Sequence, residues 1–263
     1  MILDRFSLKG KVAIVTGAGR GIGKGVALVF AEAGADLVCA ARTVSEIEST
    51  AAEVHKLGRK ALAIPCDVRE SQQVDNMVNK TLKELGRIDI LVNNAAGGSY
   101  AGSMEMSEAV FEADLRHDLT SVFMCSKAAA KVMLEQKAGS IINISSGYSQ
   151  LPSLGMPAYG AAKAGINSLT RTMAWELAPY VRVNAILPGC ICTEGAAMMM
   201  VGKAHDKIID GTPMKRMGTT EDIGLAALYL ASSASDFVTG RLFQIDGGIE
   251  FVPLSIEDFV PQQ

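Results

Sequence analysis

Residues 11–23 read Lys11-Val12-Ala13-Ile14-Val15-Thr16-Gly17-Ala18-Gly19-Arg20-Gly21-Ile22-Gly23. The apolar, largely β-branched first half predicts a short buried strand, and the glycines end it. Ile22–Ala33 then has the spacing of an amphipathic helix, and a second apolar run, Asp36–Ala41, follows it. The glycine spacing Gly17-x3-Gly21-x-Gly23 suits a dinucleotide. The first glycine permits a sharp turn. The later ones let the backbone approach a pyrophosphate where the free N–H groups and dipole of a helix N-terminus favour anions. The spacing differs from the commoner G-x-G-x-x-G, and the strand–turn–helix–strand context carries the reading.

The same rhythm runs outward through the chain. Short apolar runs at 60–66, 88–93, 140–145, 181–186 and 242–246 alternate with helical patterns at 45–57, 71–85, 107–136, 158–177 and 220–231. Continuous apolar strands alternating with helices predict an α/β fold: one doubly wound Rossmann-type domain over residues 1–263, with a parallel sheet covered on both faces. Its functional loops are then expected at the carboxyl ends of the strands. No linker or internal repeat interrupts the pattern. Two segments depart from it: residues 193–218, and an apolar tail at 249–263.

Composition narrows the function. With 49% hydrophobic and 20% charged residues the chain is globular, and a net charge of −3 gives no basic field for nucleic acid. No apolar run approaches the roughly 18 residues of a membrane span, and Met1–Arg5 does not read as a secretory leader. Five scattered cysteines read as reduced thiols in a cytoplasmic protein, and no metal is expected.

The tip of the second strand bears on the cofactor. An acid about 20 residues past the glycines would hold a ribose 2′-hydroxyl. Here the strand ends Ala40-Ala41-Arg42-Thr43, and Arg20 adds a second positive charge. Two arginines suit a 2′-phosphate, so NADP(H) is expected. Further along, Tyr159-Gly160-Ala161-Ala162-Lys163 opens a helix and sets a phenol and an ammonium one turn apart. A nearby ammonium stabilises a phenolate, which would bring the tyrosine pKa down toward the working range. Ser146 ends the fifth strand, where such a sheet presents active residues.

Taken in order, the Thr16–Gly23 loop, Cys66-Asp67-Val68, Asn93-Asn94-Ala95, Ser146, Tyr159-x3-Lys163, Pro188-Gly189 with Thr193, and Asp246-Gly247-Gly248 resemble the short-chain dehydrogenase/reductase family over nearly the whole chain. The resemblance implies a sheet of about seven parallel strands. It implies Tyr159 as the acid/base, Lys163 as its pKa-lowering partner and ribose ligand, and Ser146 as a hydrogen-bond donor to the substrate oxygen. It also implies nucleotide contacts from Gly17, Gly19, Arg20, Gly21, Ile22, Gly23, Arg42, Thr43, Asp67, Val68, Asn94, Ala95, Ala96, Pro188, Gly189, Ile191 and Thr193. Asp67 would reach the adenine, Asn94 would support the strand end, and Thr193 would meet the nicotinamide carboxamide.

Two departures stand out. Ala96 replaces the usual glycine after Asn93-Asn94-Ala95. Asp118 falls where the family carries an asparagine, adding negative charge near Lys163.

Residues 193–218 would close over substrate, with Met198, Met199 and Met200 as an adaptable apolar wall. With Leu151, Leu154 and Met156 before Tyr159, the expected substrate is an apolar ketone or secondary alcohol, as for hydroxysteroid dehydrogenases or 3-oxoacyl thioester reductases. Enoyl-thioester reduction and a non-catalytic NADP sensor are the alternatives. Family members commonly form homotetramers or homodimers through two long helices, here 107–136 and 158–177, with Met124, Ala128, Met133, Met173 and Trp175 as candidate contacts.

Overall fold

The computed structural model describes residues 1–195 and 202–250. Seven strands, β1 (Val12–Thr16), β2 (Asp36–Ala41), β3 (Ala61–Pro65), β4 (Ile90–Asn93), β5 (Gly139–Ile144), β6 (Val181–Pro188) and β7 (Leu242–Ile245), form one sheet in the order β3-β2-β1-β4-β5-β6-β7. Every neighbouring pair is parallel. The helices are α1 (Gly21–Glu32), α2 (Val44–Lys56), α3 (Ser71–Leu85), α4 (Glu108–Leu115), α5 (Ser121–Gln136), α6 (Pro157–Glu176), α7 (Lys203–Gly211) and α8 (Thr220–Ala231). This is the single Rossmann-type α/β domain that the strand–helix rhythm predicts. The Met198–Met200 wall and the tail beyond Glu250 lie outside the described residues.

The period of two along each strand sorts the core into layers. In β1, Ala13 and Val15 pack with Phe30 of α1 and Ile223 of α8, while Ile14 packs on the other face with Met77 of α3 and Met133 of α5. Because both faces are covered, the strands are apolar throughout. Between β1 and β4 the strand order reverses, which opens a crevice at their carboxyl ends.

Buried polar side chains knit the layers beneath that crevice. Asn93 Nδ2 donates to Ser126 Oγ and to Asn143 Oδ1, both at 2.8 Å, and Asn143 Nδ2 donates to Thr170 Oγ1 at 2.9 Å. These bonds tie β4 and β5 to α5 and α6. They also satisfy groups whose burial unpaired would be costly.

The structure differs from the sequence expectations in two places. The helix predicted over 107–136 runs without a break from Glu108 to Gln136, but the turn Arg116–Thr120 that joins α4 to α5 is π-helical. A π turn adds one residue to the turn without breaking the apolar pattern, so periodicity cannot reveal it. Of the proposed intersubunit residues, Ala128, Met133 and Met173 are buried against the sheet. The moderate apolar bias of these helices did not distinguish their core face from an outer one. Trp175 is exposed, at 87%.

The glycine turn is fixed by close packing. Gly17 and Gly21 have φ of 65° and 55°, in the left-handed region. A Cβ at Gly23 would sit 2.3 Å from the Gly17 carbonyl oxygen and 2.4 Å from Asn94 Nδ2. Asn94 Nδ2 in turn donates to the carbonyls of Thr16 (2.9 Å) and Gly17 (3.2 Å), and Thr16 Oγ1 accepts from the Asn94 and Ala95 amides. Gly23→Ala is therefore expected to force this turn apart at a cost of about 1–3 kcal/mol, seen as a fall of several degrees in Tm. An unchanged thermal unfolding curve would contradict the packing argument.

Candidate active site

Two adjoining cavities occupy the crevice and share Ile22, Asn94, Ala96 and Thr193. The first, about 350 Å³, is lined by Gly17, Gly19, Arg20, Gly21, Arg42, Thr43, Asp67, Val68 and Ala95 among others. The second, about 510 Å³, is lined by Ser146, Tyr159, Lys163, Pro188, Gly189 and Ile191, with Gly97, Gly98, Tyr148, Leu151 and Met156. Every acid/base or nucleotide-contact residue expected from the sequence lines one of the two, except Gly23, which supports the turn from behind, and Asp118, which lies buried beside it. Leu154, expected in the pocket, is absent from its lining and half-exposed.

The first cavity has the chemistry of a dinucleotide cradle. It ends at the N-terminus of α1, whose first turn contains no acid and whose N-cap residue, Arg20, makes no capping bond from its side chain. Such a terminus presents free N–H donors to an anion. The Gly21 amide donates to Glu194 Oε2 at 3.2 Å. Arg69 forks onto Asp67, and this hydrogen bonding holds the Asp67 carboxyl down at about 2. Among the described residues no cluster of side chains could hold a metal ion, and no helix is long and apolar enough to cross a membrane.

The second cavity holds the phenol and the ammonium. Pro157 starts α6, so Tyr159 and Lys163 stand on its first turns and share a face. Lys163 is 2% exposed; its Nζ donates to the Ile144 carbonyl at 3.0 Å and lies 5.3 Å from the centre of the Tyr159 ring. Burial pushes the lysine pKa down, opposed by the charge of Asp118. The expected lowering of the tyrosine pKa by Lys163 is not what the structure gives. Burial dominates and pushes the phenol up to about 12; a hydrogen bond with Ser146 works against this and the Asp118 charge adds to it.

Asp118 sits in the π-helical turn, fully buried. Its Oδ1 accepts from the Gly97 amide at 2.9 Å, and its Oδ2 has no hydrogen-bond partner. Burial raises its pKa, and Lys163 lowers it. Sequence reasoning missed Asp114, which tertiary packing brings against the crevice loop; Glu194 and Ile208 fall in the segment expected to close over substrate, and Ile249 and Glu250 begin the apolar tail. The one local signal was Asp114 lying a helical turn before Asp118.

The chain resembles known dehydrogenases and reductases along most of its length. The family described as enoyl-(acyl carrier protein) reductase matches residues 17–250. A 2-dehydro-3-deoxy-D-gluconate 5-dehydrogenase of Escherichia coli K12 is 39% identical over 251 residues, covering 94% of this chain and 98% of its own. A 7α-hydroxysteroid dehydrogenase structure with NADH and 7-oxo glycochenodeoxycholic acid superposes with a TM-score of 0.92 at 34% identity, over 95% of this chain and 98% of its own. A gluconate 5-dehydrogenase of Burkholderia cenocepacia, with NADP and tartrate, gives 0.89 at 36% identity, over 94% and 98%.

The electrostatics predict how Tyr159 titrates. Removing the Asp118 charge in Asp118→Asn should move its ionisation to lower pH, because a nearby anion disfavours phenolate. Tyrosine ring-carbon NMR, assigned with Tyr159→Phe, reads this directly; an unmoved titration would show that Asp118 does not act on the phenol.

Proposed function

The chain belongs to the short-chain dehydrogenase/reductase family, and we propose that it is an NADP(H)-dependent oxidoreductase interconverting an apolar ketone and its secondary alcohol. The observation that carries the reading is the convergence of Ser146, Tyr159 and Lys163 on one apolar cavity next to the glycine cradle. The nicotinamide, when bound, supplies or accepts the hydride. Ser146 donates a hydrogen bond to the substrate oxygen and orients it. Tyr159, whose burial keeps it protonated at neutral pH, gives its proton to that oxygen as negative charge develops there. Lys163 then faces the resulting phenolate with a positive charge. A serine placed for a carbonyl oxygen favours ketone reduction over enoyl reduction.

The charge inventory supports an apolar, uncharged reacting end. Among the described residues, the second cavity has one cation in its wall, Lys163, and one anion, Glu250. Ile144, Leu151, Met156, Ile191, Ile208 and Ile249 supply the apolar wall. Residues 196–201 and 251–263 contain no Lys, Arg or His. A sugar acid would bury a carboxylate there with no cation but Lys163, at a desolvation cost. The volume of about 510 Å³ falls within the usual range of about 300–1,000 Å³ for small-molecule sites.

For the cofactor, Arg20 and Arg42 both line the first cavity and suit a 2′-phosphate. The exposed Trp175 of α6 and Phe123 of α5 support assembly into a homodimer or homotetramer through these helices.

Two experiments test this reading. A panel of NADPH oxidations should show hydrophobic ketones turned over with lower KM than keto sugar acids, and Tyr159→Phe should cut kcat by about 10²–10⁴-fold. Equal efficiency on sugar acids would refute the apolar site. For the cofactor, Arg42→Ala should weaken NADPH binding about tenfold or more, the scale of a lost charge-assisted hydrogen bond, with NADH little changed. Parallel losses for both nucleotides would refute the 2′-phosphate assignment.

A further inference from the structure

The segment from Asn94 to Gly98 forms a wall shared by the two cavities, yet it belongs to no strand or helix. Gly97 and Gly98 make it intrinsically loose, and its backbone donors need partners that the sheet does not supply. Two buried carboxylates supply them. The Gly97 amide donates to Asp118 Oδ1 at 2.9 Å. The Ser99 amide donates to Asp114 Oδ2 at 2.8 Å, and Ser99 Oγ donates to Asp114 Oδ1 at 3.1 Å. Asp114 is 8% exposed and stands four residues before Asp118. Both carboxylates thus leave one side of the helical segment and meet successive turns of the same loop.

The loop they hold presses on the proposed proton donor. A Cβ at Gly98 would come within 2.8 Å of Met156 Cε and 3.3 Å of Tyr159 Cβ. Just beyond, the Ala101 amide donates to the Gly155 carbonyl at 2.8 Å, which ties this wall to the opposite one. Displacement of residues 97–99 would change the space beside Tyr159, while Asn94 and Ala95, bonded to Thr16 and Gly17, keep the glycine cradle in place.

We propose that Asp114 is a positioning residue for the substrate wall: with Asp118 it clamps the backbone of residues 97–99 and so sets the shape of the cavity against Tyr159. Asp118 also faces Lys163. Asp114 serves the loop through Ser99, and its charge also raises the Asp118 pKa, so Ser99→Ala, which leaves both carboxylates in place, isolates the clamp. The inference rests on the second cavity being the substrate site.

The test compares Asp114→Ala, Asp114→Asn and Ser99→Ala with the parent protein. Hydrogen exchange of amides 97–101 should speed up about tenfold or more in Asp114→Ala, as expected when backbone donors lose a charged acceptor. KM for a hydrophobic ketone should rise about tenfold, while kcat stays within about threefold and NADPH affinity within about twofold. Asp114→Asn keeps one acceptor oxygen and should recover most of both effects; Ser99→Ala, which loses only the hydroxyl, should fall between parent and Asp114→Ala. Unchanged exchange and KM would overturn the proposal, and so would a loss shared equally by kcat, KM and NADPH affinity. If Asp114→Ala does not fold, the exchange and KM of Asp114→Asn and Ser99→Ala decide, and parent values in both overturn it. If the parent turns over no ketone, the functional reading fails and the exchange measurement still judges the clamp.

Discussion

A lysine with 2% of its surface exposed is the constraint around which the crevice is organised. Lys163 loses nearly all its hydration, a cost that grows steeply unless the charge is paired and hydrogen-bonded. Its partners come from different parts of the fold: the Ile144 carbonyl at the end of β5, and the charge of Asp118 in the π-helical turn. Ser145 Oγ, donating to the Lys163 carbonyl at 3.1 Å, pins the same turn of α6 to the strand end. Burying Lys163 therefore fixes where α6 meets β5, and with it where Tyr159 stands. A buried pair of this kind is weak evidence for stability. Its placement in the wall of a cavity beside a phenol is better explained by chemistry.

Much of this was legible in the sequence, for local reasons. Strand runs, helix spacing and the glycine turn are short-range patterns, and in a parallel α/β chain they fix the architecture almost alone. The residues lining the cavities were legible where they sit at strand ends, as Asn94, Ser146 and Pro188 do. What stayed hidden depends on long-range contact or on one-residue geometry. Nothing local marks Asp114 as the acceptor for Ser99, because the bond joins a helix to an irregular loop fifteen residues away. The π-helical turn inside 107–136 adds one residue to an otherwise continuous helix, a shift too small for the coarse apolar spacing to reveal. Leu154 illustrates the converse: an apolar residue close to the Tyr159-x3-Lys163 motif, yet 53% exposed.

The sequence also gave the sign of the Tyr159–Lys163 interaction more weight than its surroundings allow. An ammonium favours a phenolate only by as much as it outweighs the desolvation of the phenol, and here burial is the larger effect. A phenol held protonated is the right form to deliver a proton to a carbonyl oxygen, and the wrong one to remove a proton from an alcohol. Asp118 works the same way as burial, because a carboxylate in place of a neutral side chain adds negative charge that disfavours phenolate.

The two cavities divide the remaining chemistry. The first contains arginines, a helix N-terminus and the Asp67 carboxylate, the surroundings for a charged and strongly hydrogen-bonding ligand. The second is walled mainly by apolar side chains, and the cation in its described wall already donates to a carbonyl and feels the Asp118 charge. Ile22, Asn94, Ala96 and Thr193 belong to both, so the boundary is only a few side chains thick. A loop at that boundary loose enough to wander would blur the separation of a polar ligand from an apolar one. Two carboxylates one helical turn apart, spent on backbone amides instead of on solvent, keep it in place, at the cost of burying two carboxylates, one of which also acts on the phenol.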